Sequence, residues 1–138
     1  MFEFGLKTTV SRDQIGEFLA NYFNLSEKSI VDKISYWEIN QDAGTPLIGF
    51  SVENSETGFK TIVSGQTNFH LFGEHLGKLA AHAASFFNTD IIIGDYRAEG
   101  EGANDRLLVF FANGSIGEAI DNSCDGFNDV EILSYIEM

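Results

Sequence analysis

The chain has 138 residues, with eight Lys plus Arg against twenty-one Asp plus Glu, for a formal charge of −13. Such a surface repels phosphate and excludes direct binding to DNA, RNA or an anionic membrane face, all of which reward Lys and Arg, so a charged partner is expected to be basic. Hydrophobic residues at 43 % and aromatics at 13 %, with thirteen Phe, set the chain apart from disordered acidic tails and supply a core for one domain spanning residues 1–138.

Phe2, Phe4 and Leu6 alternate with Glu3, Gly5 and Lys7, the period of a half-buried strand that ends by Val10. Ser11-Arg12-Asp13-Gln14 fits a capping box, and Ile15, Phe18, Leu19, Tyr22 and Phe23 continue at helical spacing to about Leu25. A short helical turn is expected from Ser26, with Ile30, Val31 and Ile34 on it, whereas Tyr36-Trp37-Glu38-Ile39 favours an extended chain. Asn40 to Pro46 is a polar loop with the only proline. Ile48, Phe50 and Val52, then Phe59, Thr61 and Val63, alternate on either side of a turn at Asn54–Gly58, predicting a hairpin.

Leu71 to Phe87 returns to helical spacing, with Phe72, Leu76, Leu79, Ala83 and Phe86 on one side. Beside them Gly73, Gly77 and Ala81 form a row of small residues that lets the backbone approach a sheet. Ile91–Ile93 and Leu107–Phe111 are short apolar runs, expected as central strands covered on both faces. Asn113-Gly114 supplies the positive φ angles of a tight hairpin turn, so Ser115 to Ile120 folds back on the preceding strand. Val130, Ile132 and Tyr135 suggest a final strand. The order predicts an α+β architecture, a mainly antiparallel sheet with two or three helices packed on one face.

Charge is unevenly spread along this order. Residues 1–89 carry ten acids and six bases, whereas residues 90–138 carry eleven acids and two bases. Asp95, Glu99, Glu101 and Asp105 precede Leu107, and Asp121, Asp125, Asp129 and Glu131 follow Ile120. If Leu107 to Ile120 is a hairpin and its flanking loops lie at the same end of the sheet, the acids converge on one surface. Any one of these acids reads as a solvated loop residue. Their concentration costs stability through mutual repulsion and is more readily explained by a partner.

Catalytic and metal signatures are poor. Asp121 to Ile132 matches a calcium loop at positions one, three, five, six and nine, but Ile132 stands where the bidentate acid belongs and the flanks read as strands, so no metal is expected. Cys124 with His70, His75 or His82 is the only thiol option for nucleophilic catalysis, without a supporting signature. His75 and His82 share a polar helix face with Lys78 and lack a third zinc ligand. Glu99-Gly100-Glu101-Gly102 lacks the Lys and helix entry of a phosphate loop. No catalytic residue and no cofactor is assigned. The lone Cys124, an N-terminus without basic or long apolar regions, and apolar runs far below the ~20 residues of a membrane span make a reduced, cytoplasmic setting the expectation.

Leu79 to Ile93, followed by Arg106 to Ile116 with its Asn-Gly hairpin, resembles small bacterial immunity proteins, the cytoplasmic inhibitors paired with contact-dependent or other polymorphic toxins. The resemblance covers about a third of the chain and carries over no functional residue. It implies a non-enzymatic inhibitor whose counterpart is a basic, nuclease-type toxin domain. Together with the charge it leads to an expected partner-binding surface of Asp95, Glu99, Glu101, Asp105, Asp121, Asp125, Asp129 and Glu131, with Tyr96 and Phe127 as its less polar centre. Two alternatives stay open. One is a phosphate-mimicking inhibitor of a nucleic-acid-binding protein, and the other is a small-molecule-binding domain or enzyme with a pocket between the Leu71–Phe87 helix and the sheet. A homodimer is also left open.

Overall fold

A computed structural model describes residues 1–39, 44–100, 105–122, 127 and 129–136. Eight strands form one sheet: β1 (Phe2–Leu6), β2 (Ile30–Asp32), β3 (Ile48–Asn54), β4 (Thr61–Thr67), β5 (Ile91–Gly94), β6 (Arg106–Phe110), β7 (Ile116–Asp121) and β8 (Val130–Ile136). Their spatial order is β2-β3-β4-β1-β5-β6-β7-β8. Among the described residues only β2 and β3 run parallel, and every other pair is antiparallel. Helices α1 (Arg12–Phe23), α2 (Lys33–Glu38) and α3 (Glu74–Phe87) complete the α+β fold.

Strand alternation sorts the side chains. Phe2, Phe4 and Leu6 point to the same side as Phe50, Val63, Ile91, Ile93, Leu108 and Phe110, and together with Ile15, Phe18, Leu19 and Leu79 they form the larger core under α1 and α3. Burying each such side chain is worth about 1.5–3 kcal/mol, so this face dominates stability. The opposite face has a smaller core of Phe59, Ile92, Leu107, Val109 and Ala119, with Ile62, Phe111, Phe127 and Val130 packed against it. The expected central strands are confirmed, since Ile91, Ile92 and Ile93 are all fully buried and neighbours in sequence face opposite cores.

Helix α1 begins as its sequence predicts. The Ser11 hydroxyl accepts from the Gln14 amide at 3.2 Å, and the Gln14 side chain accepts from the Ser11 amide at 3.0 Å. Ile34 is helical and Ile39 extended as expected, but the residues on either side of Ile34 depart from expectation. Ile30–Asp32 is extended because it pairs in parallel with Ile48–Phe50, and Lys33–Glu38 is helical. The Asp32 carboxylate caps that turn, accepting from the Ser35 amide at 2.8 Å and its hydroxyl at 2.9 Å. Tyr36 is buried on the sheet face opposite α1, where a side chain at Gly49 would overlap its Cβ. Two helices therefore cover one face, as expected, and α2 sits on the other.

In α3 the buried side is Gly77, Leu79, Ala80, Ala83 and Ala84, while Phe72 is 60 % and Phe86 56 % exposed. Gly73 caps the helix at φ 61°, which leaves Phe72 outside it. Phe86 lies to one side and meets Phe18 of α1 at 5.2 Å between ring centroids. Of the row of small residues, Gly77 makes the close approach to the sheet: a Cβ there would lie 3.6 Å from the Phe110 ring. The Asn113-Gly114 hairpin forms with positive φ only at Gly114. Asn113 contributes its side chain instead, accepting from the Ser115 amide at 2.9 Å and hydroxyl at 2.6 Å, in a three-residue loop closed by Phe111 and Ser115.

Candidate functional site

The β6–β7 hairpin pairs Arg106 with Ile120, and β7–β8 pairs Asp121 with Val130. The Asp95 amide donates to the Arg106 carbonyl at 3.0 Å, and the Asn122 amide to the Asp129 carbonyl at 2.8 Å. Both acid-bearing links therefore leave the sheet at the same end. Glu99, Asp105, Asp129 and Glu131 are exposed there, and Asp121 is half-buried. Glu101 and Asp125 lie outside the described residues, as do Cys124 and, in all, five of the twelve residues of the calcium-like segment.

One basic residue organises this end. Arg97 donates Nε to Asp95 Oδ1 and Nη2 to Asp95 Oδ2, each at 3.0 Å, and shares Nη2 with Glu118 Oε1 at 2.8 Å. The Arg97 amide also donates to Asp95 Oδ1 at 2.9 Å. The clasp ties the link after β5 to β7. Burial of the Asp95 carboxyl would raise its pKa, but the side-chain and backbone bonds from Arg97, with its charge, hold it below the ordinary value. Arg97 is raised by its bonds to Asp95 and then Glu118.

This pair makes stability pH-dependent with a definite sign. A carboxyl held below its unfolded pKa of about 3.9 contributes stability that is complete above that pH and lost as pH falls through the folded value. Because Arg97 is 42 % exposed, solvent screening limits the clasp to about 1 kcal/mol. Arg97→Ala is expected to cost that much in urea unfolding at pH 7 and markedly less at pH 3. An equal cost at both values would assign Arg97 a packing role only.

The two aromatic residues expected at the centre of the surface are separated by the sheet. Tyr96 lies on the α3 side, where a Cβ at Gly77 would be 3.2 Å from its Cε1, and it remains 46 % exposed. Phe127 lies on the opposite face, half-buried in the smaller core, where a Cβ at Gly5 would be 3.3 Å from its Cδ2. Its carbonyl accepts from the Phe59 amide at 3.4 Å. Tyr96 is thus available beside the acids, and Phe127 is largely committed to packing.

Next to Tyr96 a groove of about 290 Å³ runs between α3 and strands β6–β8, floored by Leu108, Phe110, Ile116 and Ile136. Lys78 and Arg97 stand on its rim. Sequence reasoning anticipated a pocket between this helix and the sheet, but it missed Arg97, whose only local signal is the Asp-x-Arg spacing to Asp95. His75, Lys78 and His82 are all exposed; His75 meets His70 at 4.8 Å and His82 meets Tyr22 at 5.3 Å between ring centroids. Among the described residues no group of three or more His, Cys, Asp or Glu could hold a metal ion, and no helix is long and apolar enough to cross a membrane.

No protein-family model matches the chain, and no curated protein or solved structure is significantly similar to it.

Proposed function

We propose that this chain is a non-enzymatic, immunity-type inhibitor that captures a basic protein, a toxin domain of the nuclease kind, on the acidic end of its sheet. The observation that supports this reading is the common exit of the two acid-bearing links. Of the two bases in residues 90–138, Arg97 is already held by Asp95 and Glu118. Glu99, Asp105, Asp129 and Glu131 are exposed and make no ion pair among the described residues. Their field extends about 8–10 Å into physiological solution. It acts chiefly on encounter, raising association from the ~10⁵–10⁶ M⁻¹s⁻¹ of neutral pairs toward ~10⁸ M⁻¹s⁻¹.

The test uses an inactive form of the protein encoded by the adjacent open reading frame, with association followed by stopped flow. The on-rate is expected to fall at least tenfold as salt rises from low to physiological strength. At low salt, Glu99→Lys, Asp105→Lys and Asp129→Lys combined are expected to slow it to a similar degree. Binding that ignores both salt and reversal rules out this surface. Release of the partner from a labelled DNA duplex would instead favour the phosphate-mimicking form of inhibition.

A further inference from the structure

We infer that the groove between α3 and strands β6–β8 is a binding site for a small amphipathic anion, an alkyl or aryl carboxylate. The inference does not rest on the proposed protein partner, although the groove shares Tyr96 and Arg97 with the acidic end. The groove exists because α3 turns small residues toward it: Gly77 and Ala81 both line it. Tyr96, seated against Gly77, closes one side. Beyond α3 no described helix covers this part of the sheet, so Ile116 and Ile136 are only half-buried. A volume of about 290 Å³ lies at the lower edge of the ~300–1,000 Å³ range of small-molecule sites. At ~30 Å³ for a water-sized group, it admits a body of about ten heavy atoms.

Charge decides the class of ligand. The chain has eight basic residues in all, and two of them, Lys78 and Arg97, stand at this groove. Lys78 makes no ion pair among the described residues, although Glu74 lies one helical turn before it on the same rim. Arg97 uses Nε and Nη2 for Asp95 and Glu118, and its Nη1 donors take no part in those bonds. Arg97's charge is balanced by Asp95 and Glu118, so the head is selected by the Lys78 ammonium and the Arg97 Nη1 donors, which beside an apolar floor accept a hydrocarbon body with an anionic head. A cationic amphiphile of the same shape would face the Lys78 ammonium with only Glu74 to pair with, and a neutral one would gain no charge-assisted bond from Lys78.

The experiment is a titration of the ¹⁵N-labelled chain with sodium octanoate, octylammonium chloride and 1-octanol, followed by amide shifts. Octanoate is expected to move Leu108, Phe110, Ile116 and Ile136, with an affinity at least fivefold above that of octylammonium. Lys78→Met is expected to remove that advantage while leaving octanol binding unchanged. Ala81→Phe, at an exposed helix position, is expected to fill the groove and abolish the shifts with circular dichroism intact. No octanoate binding, shifts confined to other residues, equal affinity for octylammonium, or an octanoate affinity indifferent to Lys78→Met would each overturn the proposal. Reversal of Glu99, Asp105 and Asp129 is expected to leave octanoate binding in place, which separates this site from the protein-binding surface.

Discussion

Gly65→Ala is expected to destabilise the fold by about 3 kcal/mol, the upper end of what one inserted methyl costs in a packed interior. Gly65 lies on β4 opposite Phe50 of β3 and Phe2 of β1. A Cβ there would overlap the Gly49 carbonyl oxygen and approach Phe2 Cε1 and Cζ at 2.7 Å. Neither neighbour has room to yield. Moving the carbonyl disturbs the sheet backbone, and the Phe2 ring is 2 % exposed and stacked on Phe4. With an m value of about 1.5 kcal/mol/M the urea midpoint falls by about 2 M. Gly94→Ala is the control. Nothing lies within 4 Å of a Cβ at that position, so stability is expected to stay level or rise slightly as the unfolded chain loses freedom. Similar midpoints for the two variants would show that the Gly65 site relaxes.

The second large effect separates two buried threonines. Thr61 is fully buried, and its Oγ1 accepts from the Val10 amide at 2.9 Å, donates to the Thr8 carbonyl at 2.8 Å and lies 3.2 Å from the Asn54 amide nitrogen, which donates to it. One hydroxyl thereby anchors the link between β1 and α1 to the start of β4. Thr61→Val keeps the shape, strands the buried Val10 N–H and takes the donor from the part-buried Thr8 carbonyl, and it is expected to cost about 2–3 kcal/mol. Thr89 is as well buried, but its Oγ1 has no hydrogen-bond partner among the described residues. Thr89→Val removes a desolvated hydroxyl and is expected to be neutral or stabilising by up to about 1 kcal/mol. Urea unfolding of both variants checks the contrast. Equal costs would mean that shape, not hydrogen bonding, governs these positions.

Legibility followed the range of the interaction. The Ser11–Gln14 cap spans three residues and Asn113-Gly114 turns within a three-residue loop, so both could be read from neighbours alone. Residues 30–32 and 36–38 could not. The spacing of Ile30, Val31 and Ile34 is helical, yet pairing with β3 extends Ile30–Asp32; Tyr36-Trp37 has strand propensity, yet the Asp32 cap and the space over Gly49 make a helix there. The acidic end was legible in part, because the hairpin alone sends both links the same way. The Arg97 clasp was not, since it needs the β6–β7 register to bring Glu118 within reach across 21 residues.

The sequence by itself determined the charge, its concentration in the last 49 residues, and most elements whose signals lie within a few residues of each other. Tertiary structure decided which aromatic meets which glycine. It put Tyr96 beside the acids with Phe127 across the sheet, and it left an apolar groove beside α3 with Lys78 and Arg97 on its rim. The reason is that side-chain period tells which residues share a face of one strand. Strand order and register, set by contacts between residues distant in sequence, tell what that face will touch.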